Sequence, residues 1–282
     1  MFWTRVISGA VLVVIALVTI LTGGGVLAAV LLLTSLVGFF ELSKALGVHE
    51  KEKKMNGLEI PAVLFVIAYY VGIYFLDSDM FTIVALVGGF MAFMFVYVVR
   101  FPRFHANQVV AVFFSVMYAP VMLSFIYQTR ELNYGVYIVW LIFISAWVSD
   151  TFAYFVGMAF GKTIGNHKAF PVLSPKKSIE GCIGGILGAA GFGALYGHFV
   201  VESVIVEQEI TWVFALLCGI GSVFSQIGDL AASAIKRNHD IKDYGKLIPG
   251  HGGIMDRFDN VIVTAPMIYF LARLFLSTVL NQ

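Results

Sequence analysis

The sequence predicts an all-α polytopic integral membrane protein with about nine transmembrane helices. Of its 282 residues, 60% are apolar and 12% are charged, and the mean hydropathy is +0.91. Soluble domains carry about 25% charged residues, so this composition excludes an ordinary soluble globule. A membrane-spanning helix needs about 20 mostly apolar residues. The stretches that meet this requirement are 6–22, 26–44, 60–76, 80–99, 108–128, 133–154, 181–201, 210–228 and 259–280.

The basic residues divide between the two sides of this arrangement. Every Lys and Arg lies in the N-terminus or in the connections after spans two, four, six and eight, except Arg130 and Arg273. Because basic loops remain in the cytoplasm, we expect a cytoplasmic N-terminus, cytoplasmic polar loops and a C-terminus on the outer side. The segregation also supports the count of spans, since a miscounted span would mix the charges.

Several stretches carry local signals. Residues 6–21 have no small-residue cleavage site and are followed by another apolar run, so we interpret them as a retained membrane helix. The glycines at 23–25 predict a tight hairpin between the first two spans. The mixed Glu and Lys residues of 41–59 predict a solvated, partly helical connector without chemistry. Glycines spaced four residues apart in 181–201 predict close packing of helices.

Charged residues concentrate in the segment 228–259, between two apolar stretches. Basic and acidic side chains are equally numerous there. Carboxylates bind a hard divalent cation through oxygen, while Lys and Arg neutralise the phosphate oxygens that such a cation bridges. This combination predicts phosphoryl or nucleotidyl transfer. The charged residues are Asp229, Lys236, Arg237, Asp240, Lys242, Asp243, Lys246, Asp256, Arg257 and Asp259.

The eighth span is predicted to continue beyond the membrane. A helix over residues 210–237 is roughly 42 Å long, whereas the hydrocarbon core is about 30 Å thick. Asp229, Ser233 and Lys236 then share one helical face, with Arg237 beside them. That face offers a metal ligand, a hydroxyl group and cations.

The residues after this helix add further polar groups. Glycines flank His251 and allow the chain to approach a ligand closely. His251 is either a hydrogen-bond donor to a phosphate oxygen or a structural turn residue. Asp256 and Asp259 stand one turn apart where the last span begins, and each is either a metal ligand or a cap of that helix.

The motif WVSDTFAY ends the sixth span. Its Asp150 lies inside or at the rim of the membrane, where an ionisable group is costly and indicates function. On a helix, Asp150 shares a face with Tyr154. The alternative is a packing role, with the carboxylate hydrogen-bonded to Ser149 or Thr151.

The motif LSPKKSIEG, at 173–181, predicts an anion site. Ser174 is expected to cap a helix whose first residue is Pro175, which places Lys176 and Lys177 in its first turn. Lysines there oppose the helix dipole, and a bound anion relieves the mismatch. Alternatively, the two lysines only mark the membrane interface.

The run SAIKRNHDIKDYGKLIPGHGGIMDRFD, from Ser233 to Asp259, resembles the signature of the phosphatidate cytidylyltransferase family, also called CDP-diacylglycerol synthases. WVSDTFAY, the FGK at 160–162 and LSPKKSIEG are similar to further blocks of that family. The resemblance implies an integral membrane nucleotidyltransferase that transfers CMP from CTP to phosphatidate and releases pyrophosphate. It further implies a bacterial cytoplasmic (inner) membrane location, Mg²⁺ as cofactor, a homodimer and no nucleic acid partner.

The resemblance and the residue chemistry together assign the site. The carboxylates that match the metal-binding aspartates of the family are Asp229 and Asp256. The candidates for an outer-shell role or a second metal ion are Asp150 and Asp259. The residues assigned to the nucleotide phosphates are Ser174, Lys176, Lys177 and Ser178. The residues assigned to the lipid phosphate and the transferring group are Lys236, Arg237, Arg257 and, as a hydrogen-bond donor, His251.

Two functional parts follow from these assignments. Residues 1–132 are expected to form a lipid-facing scaffold of about five spans. Residues 133–282 are expected to form about four spans with cytoplasmic catalytic loops at 155–180 and 229–258.

Two other functions fit some of the same features. A CTP-using membrane kinase of the polyprenol type would transfer the γ-phosphoryl group instead. An ion-coupled transporter would use Asp150 and Asp229 to carry a cation. The concentration of charge in the predicted cytoplasmic loops, without a clear inverted repeat, argues against the transporter.

Overall fold

The computed structural model describes residues 2–48, 55–76, 79–160, 167–204, 210–250 and 252–279, and they are mainly helical. The helices are α1 (Phe2–Thr22), α2 (Gly24–Ala45), α3 (Glu59–Leu76), α4 (Asp79–Val99), α5 (Ala106–Glu131), α6 (Gly135–Phe160), α7 (Ile179–Val201), α8 (Thr211–Asn238) and α9 (Met255–Val279). An antiparallel hairpin joins α6 to α7 and consists of β1 (Lys168–Phe170) and β2 (Ser174–Ser178).

The predicted membrane spans are confirmed. Within the described residues, eight helices, α2 to α9, are long and apolar enough to cross a bilayer, and a shorter apolar helix covers Val6–Thr22. Large apolar side chains such as Leu33, Phe75 and Phe95 are 64%, 73% and 69% exposed. Soluble monomers rarely expose such extensive apolar surface, so these faces suit contact with lipid.

The predicted hairpin between the first two spans is also confirmed. Helix α1 ends at Thr22 and α2 begins at Gly24, which leaves Gly23 as the connection. Gly23 and Gly24 have φ values of 66° and 49°. These left-handed conformations are accessible to glycine without steric cost, which explains why glycines occupy the turn.

The chain folds into two compact units. The first unit contains Met1–Gln128 and His239–Arg257, and the second contains Thr129–Asn238 and Phe258–Gln282. The segment 239–257, which carries much of the signature, therefore groups with the N-terminal helices. The division into a lipid-facing scaffold and a catalytic part stays a prediction.

Tyrosine hydroxyl groups connect the helices of the first unit. The Tyr70 hydroxyl lies 2.7 Å from Ser35 Oγ of α2 and donates to the Pro120 carbonyl oxygen of α5 at 3.2 Å. Pro120 lies in a π-helical turn, Met117–Val121. The Tyr70 hydroxyl of α3 therefore joins this turn of α5 to α2.

The connector 41–59 is less solvated than the sequence predicts. At its described ends, Glu41 is 9% exposed, Asn56 3% and Glu59 0%. Glu59 accepts hydrogen bonds from Ser43 Oγ and from the Asn56 amide, both at 2.8 Å. The Asn56 side-chain oxygen accepts from the amides of Leu58 and Glu59 at the start of α3. These bonds satisfy the buried polar groups and pin α2 to α3, so the expectation of a solvated connector is wrong for these ends.

Glycines of α7 allow the close packing that the sequence predicts in the second unit. A Cβ atom at Gly184 would overlap Val156 of α6, and one at Gly188 would overlap Phe152. A Cβ atom at Gly193 would lie 2.6 Å from the Phe214 carbonyl oxygen of α8. Helix α7 is therefore in backbone-level contact with both neighbours.

Replacing Gly185 by Ala is expected to destabilise this packing. The new Cβ would lie 2.8 Å from the Ser149 carbonyl oxygen and 2.9 Å from its hydroxyl oxygen. Overpacking typically costs about 1–3 kcal/mol, so the thermal unfolding midpoint of the detergent-solubilised protein should fall by roughly 2–10 °C. Gly191→Ala is the matched control, because nothing lies within 4 Å of its Cβ position and alanine favours the helix. Equal midpoints for the two variants would contradict this packing.

The start of α8 is held by a carboxylate outside the membrane spans. Glu202 Oε1 accepts from the amides of Ile210 and Thr211, each at 3.0 Å, and from Thr211 Oγ1 at 2.8 Å. The hydrogen bond from Thr211, followed by the one to His198, lowers the pKa of Glu202 to about 2. The bonds cap a helix whose first amides have no intrahelical partner.

Candidate functional site

The second unit contains a polar cavity of about 370 Å³ between α6, α7, α8 and the hairpin. Its lining combines carboxylates, lysines and small residues. The polar side chains that line it are Asp150, Tyr154, Lys176, Lys177, Ser178 and Asp229. The sequence prediction that Asp150 and Tyr154 share a helical face agrees with this arrangement.

A lysine and an aspartate form the centre of this cavity. Lys177 Nζ lies 3.1 Å from Asp229 Oδ2 and 3.5 Å from the Gln226 carbonyl oxygen. The Lys177 side chain is 13% exposed, whereas that of Asp229 is 39% exposed. The Lys177 ammonium group is thus largely buried, whereas the Asp229 carboxylate is partly exposed to the cavity. A ligand entering the cavity would meet both charges.

Asp150 is positioned by a different helix. Its Oδ2 atom accepts a hydrogen bond from Asn260 Nδ2 of α9 at 2.8 Å. Thr151 instead donates its hydroxyl to the Trp147 carbonyl oxygen, and Ser149 accepts from Ser222. The packing alternative through Ser149 or Thr151 therefore has no support in this geometry, since neither hydroxyl group is directed to Asp150 in these bonds.

Three carboxylates of the second unit act on one another electrostatically. Asp150 and Asp229 interact, and Asp259 interacts with both. The positive charge of Lys177 acts on Asp150, and that of Lys236 acts on Asp259. Like charges gathered in this way repel unless a cation lies among them. A cation bound near these carboxylates would relieve this repulsion.

The carboxylates of the cavity are the candidate ligands for a metal ion. Within the described residues, no group of three or more His, Cys, Asp and Glu side chains is arranged to hold a metal ion. Mg²⁺ usually keeps several waters and binds through one or two carboxylates plus substrate phosphates. Asp229 and Asp150 supply oxygen ligands of that kind, and the cavity has neither His nor Cys in its lining. The residues fit Mg²⁺ bound together with substrate.

The predicted cap of the LSPKKSIEG motif is wrong. Residues 174–178 form strand β2, with Phe170 paired to Ser174 and Lys168 to Ser178, so Pro175 does not begin a helix. Helix α7 begins at Ile179, and Ser178 caps it by accepting from the Gly181 amide at 3.1 Å. Pairing with β1 extends the backbone through both lysines. Lys176 and Lys177 therefore reach the cavity from a strand rather than from a helical first turn.

The predicted polar face of α8 is present. The helix covers Thr211–Asn238 without interruption, so Asp229, Ser233 and Lys236 lie on one side of a continuous helix. Arg237 is exposed near its end. The expected continuous helix of about this length is confirmed, and its extension beyond the membrane stays a prediction.

The first unit contains a second polar cavity, of about 580 Å³, formed by the signature segment. Glycines and charged residues form most of its lining. The charged side chains that line it are Lys242, Asp243, Lys246 and Arg257. Arg257 is exposed, and three cations against one carboxylate make this cavity suited to an anion.

Asp256 also belongs to the first unit and is 8% exposed. Its Oδ2 atom accepts from the Tyr244 amide at 2.8 Å and from the Gly253 amide at 3.0 Å. Asp256 thus stabilises the loop before α9. Asp259 lies one turn further inside α9, which begins at Met255, so Asp259 does not cap that helix. His251 lies outside the described residues, as does Lys162 of the FGK motif.

Sequence reasoning overlooked three polar residues. Asn260 orients Asp150, the Gln226 side chain donates from Nε2 to the Cys182 carbonyl oxygen of α7, and Glu41 accepts from two amides of the signature segment. Each lies at or inside an apolar span. A polar residue in a membrane span is costly, and this cost is the signal by which they could have been found.

These observations define the class of protein as a polytopic helical membrane protein with two polar cavities lined by charged side chains. The comparisons with known proteins identify its family. The cytidylyltransferase family profile matches residues 3–275, and the chain belongs to that family.

Curated relatives carry the name phosphatidate cytidylyltransferase. The protein of Staphylococcus epidermidis RP62A is 30% identical over 271 residues, which cover 95% of this chain and 97% of the relative. The protein of Bacillus subtilis is 35% identical over 174 residues, or 61% of both chains. The protein of Staphylococcus aureus COL is 38% identical over 157 residues, or 56% of both chains. The two shorter alignments thus span about three fifths of those relatives.

Proposed function

We propose that this chain transfers CMP from CTP to phosphatidate, which yields CDP-diacylglycerol and pyrophosphate. The observation that carries the proposal is the cavity in which Lys177, Asp229 and Asp150 face one space, because this joins an anion-binding cation with cation-binding carboxylates. The match of the family profile over residues 3–275 and the printed names of the relatives support the choice of substrates.

The reaction is an in-line displacement at phosphorus. A phosphate oxygen of phosphatidate attacks the α-phosphorus of CTP, the bond from that phosphorus to the bridging oxygen breaks, and pyrophosphate leaves with the electron pair. A phosphate monoester has a second pKa near 6, so the attacking oxygen is already ionised at pH 7. The protein therefore needs no dedicated general base.

The main barrier is repulsion between two polyanions, and the basic residues reduce it. Lys177 and Lys176 line the cavity, where they can bind the phosphate oxygens of CTP beside the Ser178 hydroxyl. The other cations proposed for the lipid phosphate and the transferring group are Lys236, Arg237 and Arg257. Cations that oppose developing negative charge lower the barrier by several kcal/mol in a site that excludes bulk water.

We propose Mg²⁺ as the cofactor, held by Asp229 with Asp150 and Asp259 as further candidates. When bound, the ion polarises phosphoryl oxygens and neutralises charge on pyrophosphate. In its absence Lys177 partly balances Asp229. Asp256 is proposed as a ligand from the family resemblance. Because Asp229 and Asp256 belong to different units, each is tested separately.

We further propose that the protein is a homodimer in the inner membrane of a bacterium, with its N-terminus and catalytic loops in the cytoplasm. The distribution of basic residues supports this orientation. Phosphatidate keeps its acyl chains in the bilayer, whereas CTP is soluble. A membrane-embedded protein with polar cavities provides access to both substrates.

The proposal is tested with CTP labelled separately at the α- and γ-phosphorus. Purified protein is incubated with phosphatidate, with and without Mg²⁺, and the lipid fraction is counted. We expect the α label in the lipid, the γ label only in pyrophosphate, and no product without Mg²⁺. The γ label alone in the lipid would show a kinase and reject the proposal. Ion flux in reconstituted vesicles without any lipid product would indicate a transporter.

A further inference from the structure

Glu41 is a buried carboxylate for which the reaction proposed above has no role. It lies near the end of α2, within an apolar span, and is 9% exposed. A buried carboxylate is strongly destabilising unless hydrogen bonds or charges compensate it. The hydrogen bonds that Glu41 accepts must therefore compensate its burial.

Both oxygen atoms of Glu41 bind the signature segment. Oε1 accepts from the Ile254 amide at 3.1 Å, and Oε2 accepts from the Met255 amide at 2.9 Å. These amides lie where α9 begins, and the first amides of a helix have no intrahelical partner. A negative charge there also interacts favourably with the helix dipole. Glu41 thus fixes the start of the helix that carries Asp256.

Two glycines of the signature segment pack directly against the Glu41 carboxylate. A Cβ atom at Gly245 or at Gly253 would overlap that carboxylate, and the Gly245 position would also lie 3.1 Å from Gly253 Cα. Neither glycine has a positive φ. Contact with Glu41, rather than backbone conformation, therefore explains the absence of a side chain at both positions.

Asp256 binds the same segment through two further amides. Its Oδ2 atom accepts from the amides of Tyr244 and Gly253. Gly253 thus packs on Glu41 while it donates to Asp256. Both carboxylates thus contact the segment 244–255, part of which lines the cavity with Lys246 and Arg257.

We propose that Glu41 is a positioning residue for the transferase reaction. It acts by holding the segment from Tyr244 to Met255, and through that segment it places Asp256 and the cations of the cavity. Glu41 touches neither substrate. The proposal deepens the proposed function and rests on it for the activity readout, whereas its structural part is measured independently.

The first experiment compares Glu41→Gln and Glu41→Ala with Glu59→Ala in the full-length protein. Glu59 is a matched control because it is buried in the same unit and accepts two hydrogen bonds, from Ser43 and Asn56. Hydrogen exchange is followed in peptides that cover residues 252–257. CDP-diacylglycerol formation from CTP and phosphatidate is measured at temperatures at which every variant is folded.

Loss of Glu41 should loosen the segment and slow turnover. We expect exchange at 252–257 to become about tenfold faster or more in Glu41→Ala, because charge-assisted hydrogen bonds are lost. We expect kcat to fall about 10- to 100-fold, the effect typical of residues that orient a functional group, with little change in KM for CTP. Glu41→Gln keeps one acceptor and should lie between wild type and Glu41→Ala. Glu59→Ala should change neither quantity.

Unchanged exchange at 252–257 in Glu41→Ala would overturn the proposal, as would equal losses of kcat in the Glu41 and Glu59 variants. If the wild-type protein makes no CDP-diacylglycerol, the proposed function fails, while the exchange result still decides whether Glu41 holds the segment.

A second experiment uses the space between Glu41 and Gly245. Gly245→Ala alone should accelerate exchange at 252–257, because its Cβ displaces the carboxylate. In Gly245→Ala combined with Glu41→Ala, the methyl group enters the space that the carboxylate leaves, so the two changes should be clearly less than additive. Additive effects would show that Gly245 and Glu41 act independently and would overturn the packing argument.

Discussion

Replacing Asp229 by Asn is expected to reduce CDP-diacylglycerol formation by about a thousandfold or more while the protein remains folded. A metal ion and its anionic ligand supply several kcal/mol to such a reaction, and each 1.36 kcal/mol corresponds to a factor of ten. Asparagine keeps the size of the side chain and can still accept from Lys177, which lies 3.1 Å away. Since Asp229 is 39% exposed and asparagine keeps an acceptor for the 13% exposed Lys177 side chain, we expect only a small fall in the free energy of unfolding.

The measurement is the initial rate at several Mg²⁺ concentrations, together with the thermal unfolding midpoint. Asp240→Asn serves as control, because Asp240 has a φ of 51° and asparagine tolerates this left-handed conformation. The control removes one carboxylate of the signature segment and should retain the wild-type rate. A wild-type rate for Asp229→Asn at ordinary Mg²⁺ would remove Asp229 from the proposed metal site.

Asp256 should respond differently to Asn and to Ala. Asp256→Asn can turn its amide oxygen toward the amides of Tyr244 and Gly253 and so keep both hydrogen bonds, but it loses the charge. We expect a rate about a thousandfold lower with a nearly unchanged unfolding midpoint. Asp256→Ala leaves two buried amides without this acceptor, at about 1–3 kcal/mol each, so its midpoint should fall as well.

The pair of variants separates two roles of Asp256. If Asp256→Asn remains active while Asp256→Ala is inactive and less stable, then Asp256 only anchors the loop and is not a metal ligand. If both are inactive and only Asp256→Ala is destabilised, the charge itself is required. The rates and midpoints are measured in the same detergent so that the comparison holds the environment constant.

Some features of the candidate site could be predicted from sequence because they depend on residue types in continuous stretches. The carboxylates and cations of 228–259 indicated the chemistry, and the length of α8 followed from its run of helix-compatible residues. The start of α7 was misplaced because both Ser174 and Ser178 satisfy the local pattern of a cap. Residues 174–178 pair with β1 as a strand, so the helix begins only after Ser178, and Ser178 is the cap. This pairing is a contact between two segments, and neither segment specifies it alone.

The amino-acid sequence alone determined the helical membrane fold, the approximate number of apolar spans, the turn at Gly23 and the residue types of the site. It could do so because a bilayer requires every spanning segment to be predominantly apolar, and each segment must meet this requirement by itself. The tertiary structure alone decided which polar groups meet. Lys177 pairs with Asp229 across 52 positions, Asn260 with Asp150 across 110, and Glu41 with Ile254 across 213. Such pairs depend on how helices pack and on where backbone amides remain unsatisfied, and neither property is contained in any one stretch of the chain.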